Sequence, residues 1–152
     1  MIDKARNNSS IVFSLEWEGW KLLFPGDAEL RSWQEMNKQE QLQPVHFLKI
    51  SHHASHNGTP VDELLEKIFP QTALDSRKRA AVASTFPNQY AGIPHRPTLA
   101  RLEQRGVDTY VVFEELAQDH VDTHATTMGY IEFSFPAAGT EIGVRRQLLP
   151  AL

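Results

Sequence analysis

Leu48-Lys49-Ile50-Ser51-His52-His53-Ala54-Ser55-His56-Asn57-Gly58-Thr59 is the stretch on which the reading of the fold turns. Three of the seven histidines fall within five positions, directly after a short apolar run that reads as a buried strand. A strand ending in paired imidazoles presents nitrogen donors at its C-terminal edge, where α/β proteins place their chemistry. A matching edge lies upstream, where Lys21-Leu22-Leu23-Phe24 runs into Pro25-Gly26-Asp27-Ala28-Glu29 and puts a carboxylate at a second strand end. One hard oxygen and borderline nitrogens form a donor mixture suited to zinc or manganese. The plainer readings are an N-cap role for Asp27 and an ordinary surface loop for the histidines. Either feature alone is weak. Their order, each after an apolar strand, is far more specific.

Working outward, 152 residues suffice for one domain, 1–152, with a single core. With 41% apolar and 22% charged residues, the chain reads as soluble and globular. No apolar run is long enough to span a bilayer, and residues 1–8 carry no signal-peptide core, so the expectation is a cytoplasmic protein without a membrane segment. There is no cysteine, so any metal must be held by His, Asp or Glu. A net charge of −4 argues against broad nucleic-acid binding by the chain alone. It leaves a nucleic-acid or phosphodiester substrate open, because bound divalent cations reverse the local sign. Arg77-Lys78-Arg79, the one dense basic run, reads as a solvated turn.

Ile11, Phe13, Leu15 and Trp17 alternate as in a half-buried strand, and Glu18-Gly19 turns the chain into a second strand, Trp20 to Phe24. A surface helix is expected from Ala28 to about Gln41, then a strand over 45–50. Val61, Leu64, Leu65, Ile68 and Phe69 mark an amphipathic helix, and Ala80 to Ser84 a strand covered on both faces. Pro97 opens a helix that Gly106 closes, and Thr109 to Phe113 is a further strand. Residues 114–127 read as a loop, Met128 to Phe135 as a strand, and Ile142 to Val144 as a last edge strand. His46 reads as a core or edge histidine rather than a ligand.

With these residues placed, Asn8-x-Ser10-Ile11-Val12, Phe24-Pro25-Gly26-Asp27 and Ile50-Ser51-His52-His53-Ala54-Ser55 resemble the motifs of the metallo-β-lactamase-fold hydrolases. The likeness is greatest to the hydrolase domain of bacterial DNA-uptake competence channels. Ser84 to Asn88 and Tyr90 to Pro97 resemble later loops of that group, so the likeness covers roughly residues 7 to 113. It implies an α/β fold, a mixed sheet with flanking helices, as the C-terminal half of an αββα sandwich. It also implies two divalent metals, zinc with manganese possible, bridged by Asp27 and ligated by His52 or His53, with His52 favoured because it directly follows the strand. His53 is then an acid/base group beside the catalytic Asp27, and His56, His95 and Asn8 are substrate-facing. A water activated between the two metals would attack a phosphodiester or related ester.

Three departures qualify the likeness. Ala54 replaces the usual Gly, which a loop absorbs if its φ is negative, and Ile93 stands where a His is common. The first metal motif, H-x-H-x-D-H, is not found upstream of Asp27, so the site in this chain is expected to be incomplete. The missing N-terminal half, or another partner chain, would have to complete it. His120-Val121-Asp122-Thr123-His124 carries ligand types in another order and reads as a solvated loop. The alternative function is a non-catalytic scaffold or interaction subunit, or a truncated product, that keeps the fold without a full metal site.

Overall fold

The computed structural model describes residues 9–85, 90–117 and 129–148. Strands β1 (Phe13–Trp17) and β2 (Trp20–Phe24) form a hairpin, followed by helix α1 (Leu30–Lys38) and strand β3 (Phe47–Lys49). Helix α2 (Asp62–Ile68), strand β4 (Ala80–Ala83), helix α3 (Arg96–Glu103) and strand β5 (Asp108–Val111) come next. Helix α4 (Val112–Ala117) and strands β6 (Gly129–Ser134) and β7 (Gly143–Leu148) complete the described elements. One sheet has the order β1-β2-β3-β4-β5, with β1 antiparallel to β2 and all later neighbours parallel. The fold is therefore α/β, a five-stranded mixed sheet flanked by helices.

Local chemistry explains the elements. Glu18 and Gly19 take φ of 46° and 82°, the left-handed pair that a two-residue hairpin turn requires. Strand alternation then sorts the side chains: Leu22 pairs with Phe47 on one face and Leu23 with Leu48 on the other. Leu23 and Leu48 join Trp33, Leu65, Ile68 and Leu102 in the helix-side core. On the opposite face Trp20, Leu22, Phe47 and Val82 meet Phe133 and Phe135 of the β6–β7 hairpin. Trp20 also donates its Nε1–H to Pro136 O at 2.8 Å, which pins that hairpin to the sheet. All four residues of β4 are buried, as expected of a strand covered on both faces.

Several expectations need correction. Helix α1 is shorter than 28–41 and is preceded by Glu29, without a side-chain cap from Asp27. Part of the expected 114–127 loop is helix α4; residues 118–127 lie outside the described residues. Strand β1 is not half-buried: all five of its residues are exposed, because nothing described covers that end of the sheet. The basic run is not a solvated turn. Arg79 is buried, donating to Pro70 O at 2.7 Å and to Arg105 O, while Arg77 lies over the Trp20 ring at 5.5 Å. Long cationic stems cover apolar surface well, which a count of charges does not reveal. His46 is a core histidine as read: Nδ1 accepts the Lys21 N–H at 3.0 Å and Nε2 lies 3.3 Å from Asp75 Oδ1. Among the described residues, no helix is long and apolar enough to cross a membrane.

Candidate metal centre

Because β2 and β3 are parallel neighbours, the turns that follow them leave the sheet at the same C-terminal edge. The two turns are stitched together. His52 N–H donates to Gly26 O at 3.3 Å, Ser51 Oγ–H donates to Ala28 O, and Leu30 N–H donates to Asn57 O at 2.9 Å. Asp27 N–H donates to Ser10 Oγ at 3.1 Å, tying in the segment before β1. Gly26 has φ +59° and sits so close that an added Cβ would lie 3.3 Å from Ile11 O. Asp27 and the His52-His53 pair therefore share one sheet edge, as the motif order requires.

The histidine turn is strained. His52, His53 and Ala54 have φ of 45°, 54° and 61°, three consecutive left-handed residues that are not glycine. Ala54 thus does not meet the condition, a negative φ, under which a loop absorbs alanine in place of glycine without strain. Such conformations cost about 1 kcal/mol or more per residue and survive only where the surroundings enforce them. Here Ile50 N–H is held by Val82 O at 2.8 Å and Ser55 N–H by His52 O at 2.9 Å. Gly58 fits beneath the turn: a Cβ there would lie 2.8 Å from Ser51 O and 2.9 Å from His52 Cβ. Its carbonyl accepts the Trp33 Nε1–H at 2.7 Å, so helix α1 braces the same loop.

The imidazoles differ in their surroundings. His53 Nδ1 lies 2.6 Å from Ser84 O, and a carbonyl only accepts, so Nδ1 carries the proton. In the neutral ring Nε2 then keeps its lone pair. Tyr90 stacks on this ring with centroids 6.1 Å apart. His52 Nδ1 is 3.5 Å from Glu29 Oε1 and is buried with no hydrogen-bond partner. His56 and His95 come together beside the pair, their ring centroids 6.1 Å apart. His95 is positioned by its N–H to Ala54 O at 2.8 Å and by Nδ1 against Thr98 Oγ1 at 2.9 Å. Asn8 lies outside the described residues, as do His120, Asp122 and His124.

Lys49 and Glu29 belong to this site although the sequence reading gave them no role, and Ser84 and Gly58 lie in it too. Lys49 is half-buried at the end of β3 and donates from Nζ to Ile50 O at 3.1 Å. Burial pushes its ammonium below the usual lysine range, and the Asp27 carboxylate opposes that shift. Nothing local reveals the contact from Ser84, which follows another strand.

The donor types fit a metal. An aspartate oxygen, an imidazole Nε2 that carries a lone pair when Nδ1 holds the proton, and a buried imidazole nitrogen without a hydrogen bond are donor types that a zinc or manganese ion accepts. Among the described residues, no group of three or more such side chains is arranged to hold an ion.

No protein-family profile matches the chain. Over 103 residues it is 27% identical to ComE operon protein 3 of Bacillus subtilis (strain 168), a likeness to a competence-operon protein. That match takes in 68% of this chain and only 12% of the relative, so the chain spans a small part of that protein's length.

Proposed function

We propose that the chain is one part of a metal-dependent hydrolase of the metallo-β-lactamase fold, acting on a phosphodiester or related ester. The observation that carries this reading is the meeting of Asp27 with His52 and His53 at one sheet edge, on a strained turn braced from below. In this reading Asp27 and His52 would help to hold two zinc or manganese ions. The ions would supply Lewis-acid activation of water and neutralise charge on the substrate. His53 takes and returns the proton at Nε2, with its ring orientation set by Ser84 O. His56 and His95 face the substrate's anionic oxygens, and the Lys49 ammonium adds positive charge at the floor of the site.

Zinc sites have three or four protein ligands, and Asp27 with one histidine supplies two. The remainder would come from a complementary polypeptide, the N-terminal half of an αββα sandwich, joined in cis or in trans. Reconstitution tests this. Phosphodiester hydrolysis with an activated aryl phosphodiester is measured for the chain alone, the N-terminal half alone, and the two together. Turnover and stoichiometric metal are expected only in the combination. His52→Ala is expected to lower metal content, whereas His53→Ala lowers turnover at least a hundredfold with metal retained. Assembly with full metal but no hydrolysis of any ester would favour a non-catalytic subunit.

A further inference from the structure

We infer that β1 is a self-pairing edge, through which two copies of the chain join their sheets by antiparallel β1–β1 contact. Strand β1 is bonded to β2 on one side and has no strand on the other among the described residues. Ile11, Phe13, Leu15 and Trp17 are 83%, 54%, 50% and 55% exposed. Phe13, Leu15 and Trp17 stand opposite Phe24, Leu22 and Trp20, so they extend the apolar face that the β6–β7 hairpin covers farther along the sheet. The hairpin's aromatic rings reach Trp20, Phe47 and Tyr110, whereas among the described residues Phe13 stacks only on Phe24, at 4.9 Å.

Monomeric proteins guard such edges with lysine, proline, a bulge or an inward charge. Phe13-Ser14-Leu15-Glu16-Trp17 has none of these devices on its apolar row. A second copy is the occupant because the strand is complementary to itself. Antiparallel pairing about Leu15 sets Phe13 against Trp17, Ser14 against Glu16, and Leu15 against Leu15. Apolar residues meet apolar ones, and no like charges face each other. On the other face of β1 lies an open cavity of about 940 Å³, lined by Ser14, Leu23, Met36 and Leu42, with Arg31 on its wall. It gives room for the second copy's Ser14 and Glu16 and offers Glu16 a cation.

Edge pairing covers the flank of the strand and only part of each of these side chains, well under the roughly 800 Å² per partner of a standard interface, so the dimer is weak and concentration-dependent.

Sedimentation equilibrium of the purified chain over a range of micromolar concentrations tests the pairing. A reversible monomer–dimer equilibrium is expected. Leu15→Lys places two ammonium groups at the two-fold axis and should weaken it at least tenfold, with far-UV circular dichroism unchanged. Phe13→Lys and Trp17→Glu should each be monomeric alone, yet associate with one another when mixed, because the register sets those positions opposite. A chain that stays monomeric throughout, as it would if a different polypeptide covers this row, overturns the proposal. So does a dimer indifferent to Leu15→Lys, or a mixture that fails to associate.

Discussion

His52, His53 and Ala54 adopt left-handed backbone without a glycine, and Ala54 is fully buried. Replacing Ala54 by Gly relieves about 1 kcal/mol of strain but removes a buried methyl worth about 0.8 kcal/mol. These nearly cancel, so Ala54→Gly should move the urea midpoint very little. Ala54→Val adds a branched carbon to a full site at positive φ and should destabilise by about 3 kcal/mol. A harmless valine in urea melts would mean that the turn is not left-handed. Gly58→Ala drives a methyl into Ser51 O and His52 Cβ, and should cost about 1–3 kcal/mol. It should also shift the His52 imidazole resonances in NMR spectra; an unperturbed His52 would contradict the bracing role. At this scale the order of Asp27 and the histidine pair, each after a strand, told which edge of the sheet they share but not their backbone conformation. Two histidines after a strand announce imidazoles, whereas the φ of His52 depends on Val82, Gly58 and Trp33, which lie far apart in the chain.

The elements were legible where periodicity speaks for itself, as in β2, β4, α2 and the Gly106 stop. Alternation in β1 correctly told which residues share a face, but it could not tell whether anything covers that face. Helix α4 was missed because Val112 and Phe113, which open it, read as the end of the strand before it, and the Arg77–Arg79 run because charge hides the packing of the stems. His46 links β2, β3 and the Asp75–Arg77 loop, and it yields an element-scale prediction. Burial pushes its imidazole below the ordinary value of about 6.5, with the Asp75 carboxylate opposing and Arg77 and Lys21 adding to the depression. The unfolded chain therefore binds a proton before the folded one does. Stability from this group is fully present above about pH 6.5 and is lost as pH falls from there through the lowered folded-state value. His46→Gln should be less stable at pH 8 and should show a shallower loss between pH 6.5 and 5 in urea titrations. A wild-type slope no steeper than the variant's would refute this.

At the scale of the whole molecule, three layers set the chemistry. Helices cover one sheet face, the β6–β7 hairpin covers part of the other, and the site sits at the C-terminal edge where β2 and β3 end. The uncovered β1 end and the short ligand set both direct attention to a second polypeptide surface, yet they separate experimentally: edge substitutions act on self-association, and site substitutions on metal. The central claim is that Asp27 and the histidine pair are a share of a two-metal hydrolytic centre. Its most direct test is zinc and manganese binding to the isolated chain, followed by calorimetry and elemental analysis. The account predicts weak binding, substoichiometric after gel filtration, that Asp27→Ala abolishes. Tight uptake of two ions by the isolated monomer, or weak binding indifferent to Asp27→Ala, would contradict it.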